Sequence, residues 1–240
     1  MGDHDRADRT LDTYCDVELL CRTIKVIVNE NWRFAIMKIL LWITVVSVIN
    51  YFIITTVVDM ILLGRYSFQL FPRCNIKEYI ITKENRIDIQ TGYQCSGFSS
   101  AYVLRHWDIQ AEGVDLYKIM PNKMKNGYVY PKGLCRLLQS YGFKVKYCRG
   151  SLNTLKVHIN KGNPVIVLIR VRKDKEWLHY VPVVGYDEQH IFIAESLKEL
   201  VNCECKYYNR RVDNKEFLKL WNTAMIKQPF YRNTYMIIER

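Results

Sequence analysis

Hydrophobic and polar positions fall into two regimes along this chain. From Ile39 to Val58 (ILLWITVVSVINYFIITTVV) 20 residues pass without a charge, long enough at ~1.5 Å per residue to cross a hydrocarbon layer of ~30 Å. A core helix of a small soluble domain keeps a polar stripe, which this stretch lacks. Its polar members, Thr44, Ser47, Asn50, Thr55 and Thr56, can return hydrogen bonds to the helix backbone. The pattern predicts one transmembrane helix over 37–63, followed by a connector of mixed charge with Pro72 over 64–84. Downstream the periodicities are those of a folded domain, 85–240. Phe98, Ala101, Tyr102 and Arg105 recur at helical spacing, with Cys95 as the first helical residue. A second helical pattern covers 113–120, and Pro131 and Gly142 punctuate a third helix. FKVKYC (143–148) alternates as a half-exposed strand, and Ser151 caps LNTLKVHINKG. PVIVLIRV, HYVPVVGY and HIFIAES are β-rich runs, the last two joined by a polar turn at Asp187, Glu188 and Gln189, which predicts an antiparallel hairpin. A helix at 214–222 and a strand TYMIIE close the chain. Helices gathered first and strands later predict an α+β domain.

Length and composition narrow this picture. With 240 residues there is room for one ordinary domain and an anchor. The net charge of +11 lies downstream, because residues 1–34 hold five Lys/Arg against seven Asp/Glu. That acidic, patternless start predicts a poorly structured tail over 1–36. Met37 and Lys38 stand directly before the apolar run, so translation from Met37 would make the run an uncleaved signal anchor, with the domain outside the cytoplasm. The basic body suits a solvated surface or anionic lipid headgroups. Nucleic acid is not expected, since no recognition helix, zinc finger or aromatic ribonucleoprotein motif accompanies the charge. Eight scattered cysteines do not form a disulfide framework, and Cys203 and Cys205 are too close together for a zinc knuckle. No cofactor and no metal is expected.

Two residues carry the chemistry. Cys95 sits where the unpaired N–H groups and dipole of a helix N-terminus favour a thiolate nucleophile and can hold an oxyanion. Gln90 is the preferred side-chain donor to that oxyanion, ahead of Gln94, which adjoins the nucleophile. His179 heads a strand and can act as the general base. Of two downstream acids, Asp187 lies eight residues along the same strand, ~26 Å away at ~3.3 Å per residue, whereas Glu195 ends the returning strand beside His179. Glu195 is therefore the expected orienter of the imidazole. Trp177 is placed near the cleft. His106, His158 and His190 read as surface or capping groups.

On these residues the chain resembles the papain-like cysteine peptidases, in particular the bacteriocin-processing, double-glycine-leader peptidase family and its stand-alone members. QTGYQCSGFSSAYVL supplies Gln90 and Cys95, HYVPVVGYD supplies His179 and FIAESL supplies Glu195, over about residues 85–200. Ser96 and Gly97 follow the cysteine where the family has Gly, Glu or Ala directly after it, Gln90 stands five rather than six residues ahead, and Glu195 takes a place usually held by Asp. The resemblance implies a papain-like fold, a peptide or protein substrate and thiol-dependent hydrolysis of an amide bond. Acyl transfer by the same residues, or a catalytically silent tethered binding module, are the alternatives. Oligomeric state is not legible in the sequence.

Overall fold

A computed structural model describes residues 4–63, 67–68, 74–174, 177–225 and 232–240. Helix α1 covers His4–Leu63. Within it, the 27 residues Trp32–Val58 contain an 18-residue window with a mean hydropathy of 2.1, and the segment is long and apolar enough to cross a membrane by length and composition. Thr44 Oγ1 donates to the Leu40 carbonyl 2.9 Å away, the back-bonding that lets a hydroxyl sit in such a helix. The helix differs from the expected tail over 1–36 by beginning at His4. The physical reason is composition: from His4 to Met37 there is no Pro and no Gly, so nothing stops the helix from propagating toward the N-terminus. The chain divides between Ile54 and Thr55 into two compact units, and the second holds the folded domain.

That domain is a sheet flanked by helices. Strand β1 (Ser67–Phe68) is followed by β2 (Tyr79–Ile80), then α2 (Cys95–His106), α3 (Gly113–Lys118) and α4 (Pro131–Ser140). Next come β3 (Lys144–Arg149), α5 (Leu152–Ile159), β4 (Val165–Arg170), β5 (Leu178–Tyr186) and β6 (His190–Ile193). A 3-10 turn at Lys198–Leu200, β7 (Arg210–Asp213), α6 (Asn214–Trp221) and β8 (Thr234–Glu239) complete the order. Among the described residues eight strands form one sheet in the order β1-β3-β8-β4-β5-β6-β7, with β2 paired to β5. The β1–β3 pairing is parallel and the others are antiparallel. This is the α+β architecture expected.

The unbroken apolar run of β4 has a simple cause. Ile166 and Leu168 pack into a core shared with α2, α3 and α4, while Val165, Val167 and Ile169 pack into a second core with α5 and α6. A strand covered on both faces has no solvent side on which to place a polar residue. The helix ends use local signals: Ser151 and Thr154 form a reciprocal capping box, Pro131 occupies the first turn of α4, and Asp213 accepts from Lys215 N and Glu216 N.

Three strands, β1, β2 and β7, escape the periodic pattern because they are short. β2 lies in the stretch read as connector, yet Tyr79 pairs with Tyr186 and Ile80 with Gly185. Two residues carry no detectable alternation. β7 pairs with β6 through Ile193 opposite Arg210. Pro72 of the expected connector lies outside the described residues.

Candidate active site

The site is built where α2 begins and β5 begins. Cys95 is the first residue of α2, and the preceding Gln94 carbonyl accepts from Gly97 N at 2.9 Å and Phe98 N at 3.1 Å. Ser99 Oγ donates to the Tyr180 carbonyl at 2.8 Å, which holds α2 against the strand that carries His179. Gly97 makes the close packing on α3 possible: a Cβ there would collide with the Gly113 carbonyl and stand 2.8 Å from Tyr117 Cβ. Gly97, two residues after Cys95, thus has a packing reason.

His179 is 1% exposed and Glu195 0%. His179 Nε2 lies 2.6 Å from Glu195 Oε1. The hairpin register explains the meeting. β6 returns with Val183 opposite Ile193, so two residues beyond its end the chain is back beside the start of β5. Asp187 is spent at the other end, where its carboxylate accepts from Gln189 N at 2.7 Å and His190 N at 2.6 Å.

Glu195 has partners that sequence reasoning missed. Arg210 Nη1 donates to Oε2 at 2.8 Å, Leu197 N donates to Oε1 at 2.8 Å, and the Asn209 amide brackets the Glu195 main chain, accepting from its N and donating to its O. Arg210 is itself buried. No sequence signal marks it, because an arginine in a basic chain reads as surface.

The electrostatics follow from this packing. Burial by itself pushes the His179 imidazolium toward deprotonation, but the Glu195 carboxylate, aided by interaction with Cys95, outweighs burial and holds the ring well above its ordinary range. Burial likewise pushes the Glu195 carboxyl up, and His179, Arg210 and the Leu197 N–H together hold it well below. A buried carboxylate flanked by two cationic groups stays ionised and can stabilise an imidazolium.

Gln90 also lies at the site. Its N donates to the Ser196 carbonyl at 2.8 Å, its Oε1 accepts from Ser196 Oγ at 2.7 Å, and its Nε2 donates to the Gly92 carbonyl at 2.5 Å. The Gly92 carbonyl, which can only accept, fixes which end of the amide is the donor. The neighbouring Gln94 keeps its side-chain carbonyl buried without a hydrogen bond, and it does not line the cleft. Cys95 and His179 open onto a cavity of about 660 Å³ that Gln90 and Trp177 also line. Of the other histidines, His190 joins the Asp187 turn, whereas His106 is buried in α2 rather than at the surface.

A sheet bearing a histidine at the head of one strand, set against a helix that begins with cysteine, defines the class of fold. The family model described as Peptidase_C39 like family matches residues 77–227, more than half of the chain, and the chain belongs to this family of peptidase-like proteins. Among solved structures it is similar to a C39-like peptidase from Bacillus anthracis, at 17% identity and a TM-score of 0.51, covering 67% of this chain and 97% of that one. It also matches the peptidase domain of Streptococcus ComA, a bi-functional ABC transporter of a quorum-sensing pathway, at 17% identity and a TM-score of 0.48, covering 63% and 96%. No curated protein matches the chain.

Proposed function

We propose that this protein is a membrane-anchored cysteine peptidase in which Cys95 is the nucleophile, His179 the acid and base, Glu195 the orienter of His179 and Gln90 an oxyanion donor. The observation that carries this reading is the buried His179–Glu195 pair at 2.6 Å, whose His179 lines the same cleft as Cys95 at the start of α2. The Cys95 sulfur attacks the substrate carbonyl carbon, and the negative oxygen is held by backbone N–H groups at the start of α2 together with Gln90 Nε2. His179 gives its proton to the leaving amine as the C–N bond breaks. It then takes a proton from water, whose oxygen attacks the thioester and releases the acid. Glu195 keeps the ring aimed and its charge compensated throughout. The extra methylene of Glu relative to Asp is steadied by Arg210 and Leu197 N. Arg210 is thus a positioning residue, acting through Glu195.

The apolar segment of α1 supports a single-pass anchor, with the peptidase domain on the outer side of the membrane if the segment works as a signal anchor. Protease protection of sealed vesicles tests that orientation: a domain shielded in right-side-out cells contradicts it. The chemistry is tested with iodoacetamide at neutral pH. Cys95 is expected to alkylate at least tenfold faster than the other described cysteines. Among these, burial pushes the Cys135 thiol up to about 12, Cys148 is fully buried, and burial followed by Cys205 raises Cys203. Cys95→Ala is expected to abolish turnover. Equal labelling of all thiols refutes the activated site.

A further inference from the structure

The cleft beside Cys95 differs in composition from the rest of the chain. The protein carries +11, yet no Lys or Arg is among the described residues that line this cavity, and its one carboxylate there is Glu199. Glu199 is exposed at the 3-10 turn that follows the Glu195 segment. The remaining lining is dominated by large rings and aliphatic groups. Tyr93 and Tyr128 pack with their rings tilted by 41° and 5.6 Å between centroids, and Tyr130, Met124, Trp177 and Leu178 add to them. Tyr93 is 60% exposed and Trp177 55%. Aromatic faces left open in a concavity are surfaces that a ligand covers.

We propose that this cleft selects peptides that present a bulky apolar or aromatic side chain close to a lysine or arginine. The apolar group fills the ring-lined volume, and the cation reaches Glu199. The inference rests on the peptide-cleaving reading of the same site. Its physical basis is threefold. About 660 Å³ is far more than a glycine needs and lies within the ~300–1,000 Å³ range of sites that enclose a sizeable ligand. Open tyrosine and tryptophan faces attract ammonium and guanidinium groups as well as apolar ones. An acidic peptide would lose hydration in a cleft whose one cation among the described lining residues, the His179 imidazolium, is already paired with Glu195, and where Glu199 repels it.

The test uses the full-length Cys95→Ala chain in detergent micelles and fluorescence anisotropy with labelled hexapeptides that differ only at two adjacent positions: Phe-Arg, Gly-Arg, Phe-Gln and Phe-Glu. Phe-Arg is expected to bind roughly tenfold or more tightly than Gly-Arg, since burying one large side chain is worth ~1.5–3 kcal/mol. It is also expected to bind several-fold more tightly than Phe-Gln, with Phe-Glu weakest. In the Glu199→Lys variant on the same background, Phe-Glu is expected to overtake Phe-Arg while the preference for Phe over Gly persists. Equal affinity for Phe-Arg and Gly-Arg, an Arg-over-Glu order untouched by Glu199→Lys, or no binding by any of the four overturns the proposal. The parallel assay with the unaltered protein separates the two ideas. Ranked binding without hydrolysis sinks the peptidase reading alone, and hydrolysis without ranking sinks the selectivity alone.

Discussion

Arg210→Met removes the guanidinium while keeping a side chain of similar length in a site only 7% exposed. What changes is the charge on Glu195. Arg210 Nη1 sits 2.8 Å from Oε2, and two unit charges about 4 Å apart attract by about 4 kcal/mol at an effective dielectric near 20. At about 1.4 kcal/mol per pH unit this sets a ceiling of about 3 units on the rise in the Glu195 pKa. His179 and Leu197 N remain as partners, and loss of the arginine relieves its own desolvation, so a rise of about 1–2 units is expected. The ionised carboxylate is the working form in the proposed mechanism, so the acid limb of kcat/KM should move up by that amount. Well above the limb, activity should return to within about tenfold of the unaltered protein, because the His179–Glu195 bond survives. Arg210→Lys keeps the charge and should restore most of the original limb. The assay is a kcat/KM profile from about pH 2 to 9 on a peptide the unaltered protein cleaves, because Glu195 is held down at about 2, with thermal unfolding measured beside it. Breaking a buried pair costs about 3–5 kcal/mol, so a lower Tm accompanies the shift and by itself means nothing for mechanism. A folded Arg210→Met protein with the limb unmoved, or a rate reduced equally at every pH with no recovery in Arg210→Lys, refutes the positioning role.

Other consequences follow from the same contacts. Ser196→Ala removes the hydrogen bond that orients the Gln90 amide, and loss of a bond worth about 1 kcal/mol should lower kcat about fivefold with KM little changed; a raised KM at constant kcat would place Gln90 in ground-state binding instead. Gly97→Ala drives a Cβ into the Gly113 carbonyl and to within 2.8 Å of Tyr117 Cβ, which should cost about 1–3 kcal/mol in a urea melt, and an unchanged midpoint would contradict the α2–α3 packing. The His179–Glu195 pair should also make stability depend on pH. His179 is raised by folding, so its share is complete below about pH 6.5 and is lost as pH rises toward its folded value. Glu195 is depressed by folding, so its share is complete above about pH 4.3 and is lost as pH falls toward its folded value. The difference in unfolding free energy between the unaltered protein and Glu195→Gln should therefore peak between these limits and shrink on both sides, and a pH-independent difference would argue against the pair.

Local periodicity was enough to read most of the elements. The helical spacing after Cys95, the cap at Ser151, the punctuation by Pro131 and Gly142 and the hairpin around Asp187 are all written within a few residues of where they act. The separation of Asp187 from Glu195 was legible as well, because a strand of known rise and a return turn fix which residue lies beside the head of β5. The start of α1 at His4 was not legible, since a stretch without hydrophobic period can still be helical when no residue breaks it. Tertiary structure decided the rest. Arg210 reaches Glu195 only through the β6–β7 register, in which Ile193 faces Arg210, and Asn209 brackets Glu195 from the same crossing. Such partners are fixed by strand pairing across an irregular loop, and no pattern within either segment announces them. Gly97 needs its missing side chain only because α3 is packed against it, and the two residues of β2 count as a strand only because β5 is there to pair with them. The sequence by itself thus determined the kinds of elements and the two side chains proposed here to react. Which buried charges and close contacts surround those side chains was decided by the packing of distant segments, because Coulomb and contact energies depend on distances through space rather than along the chain.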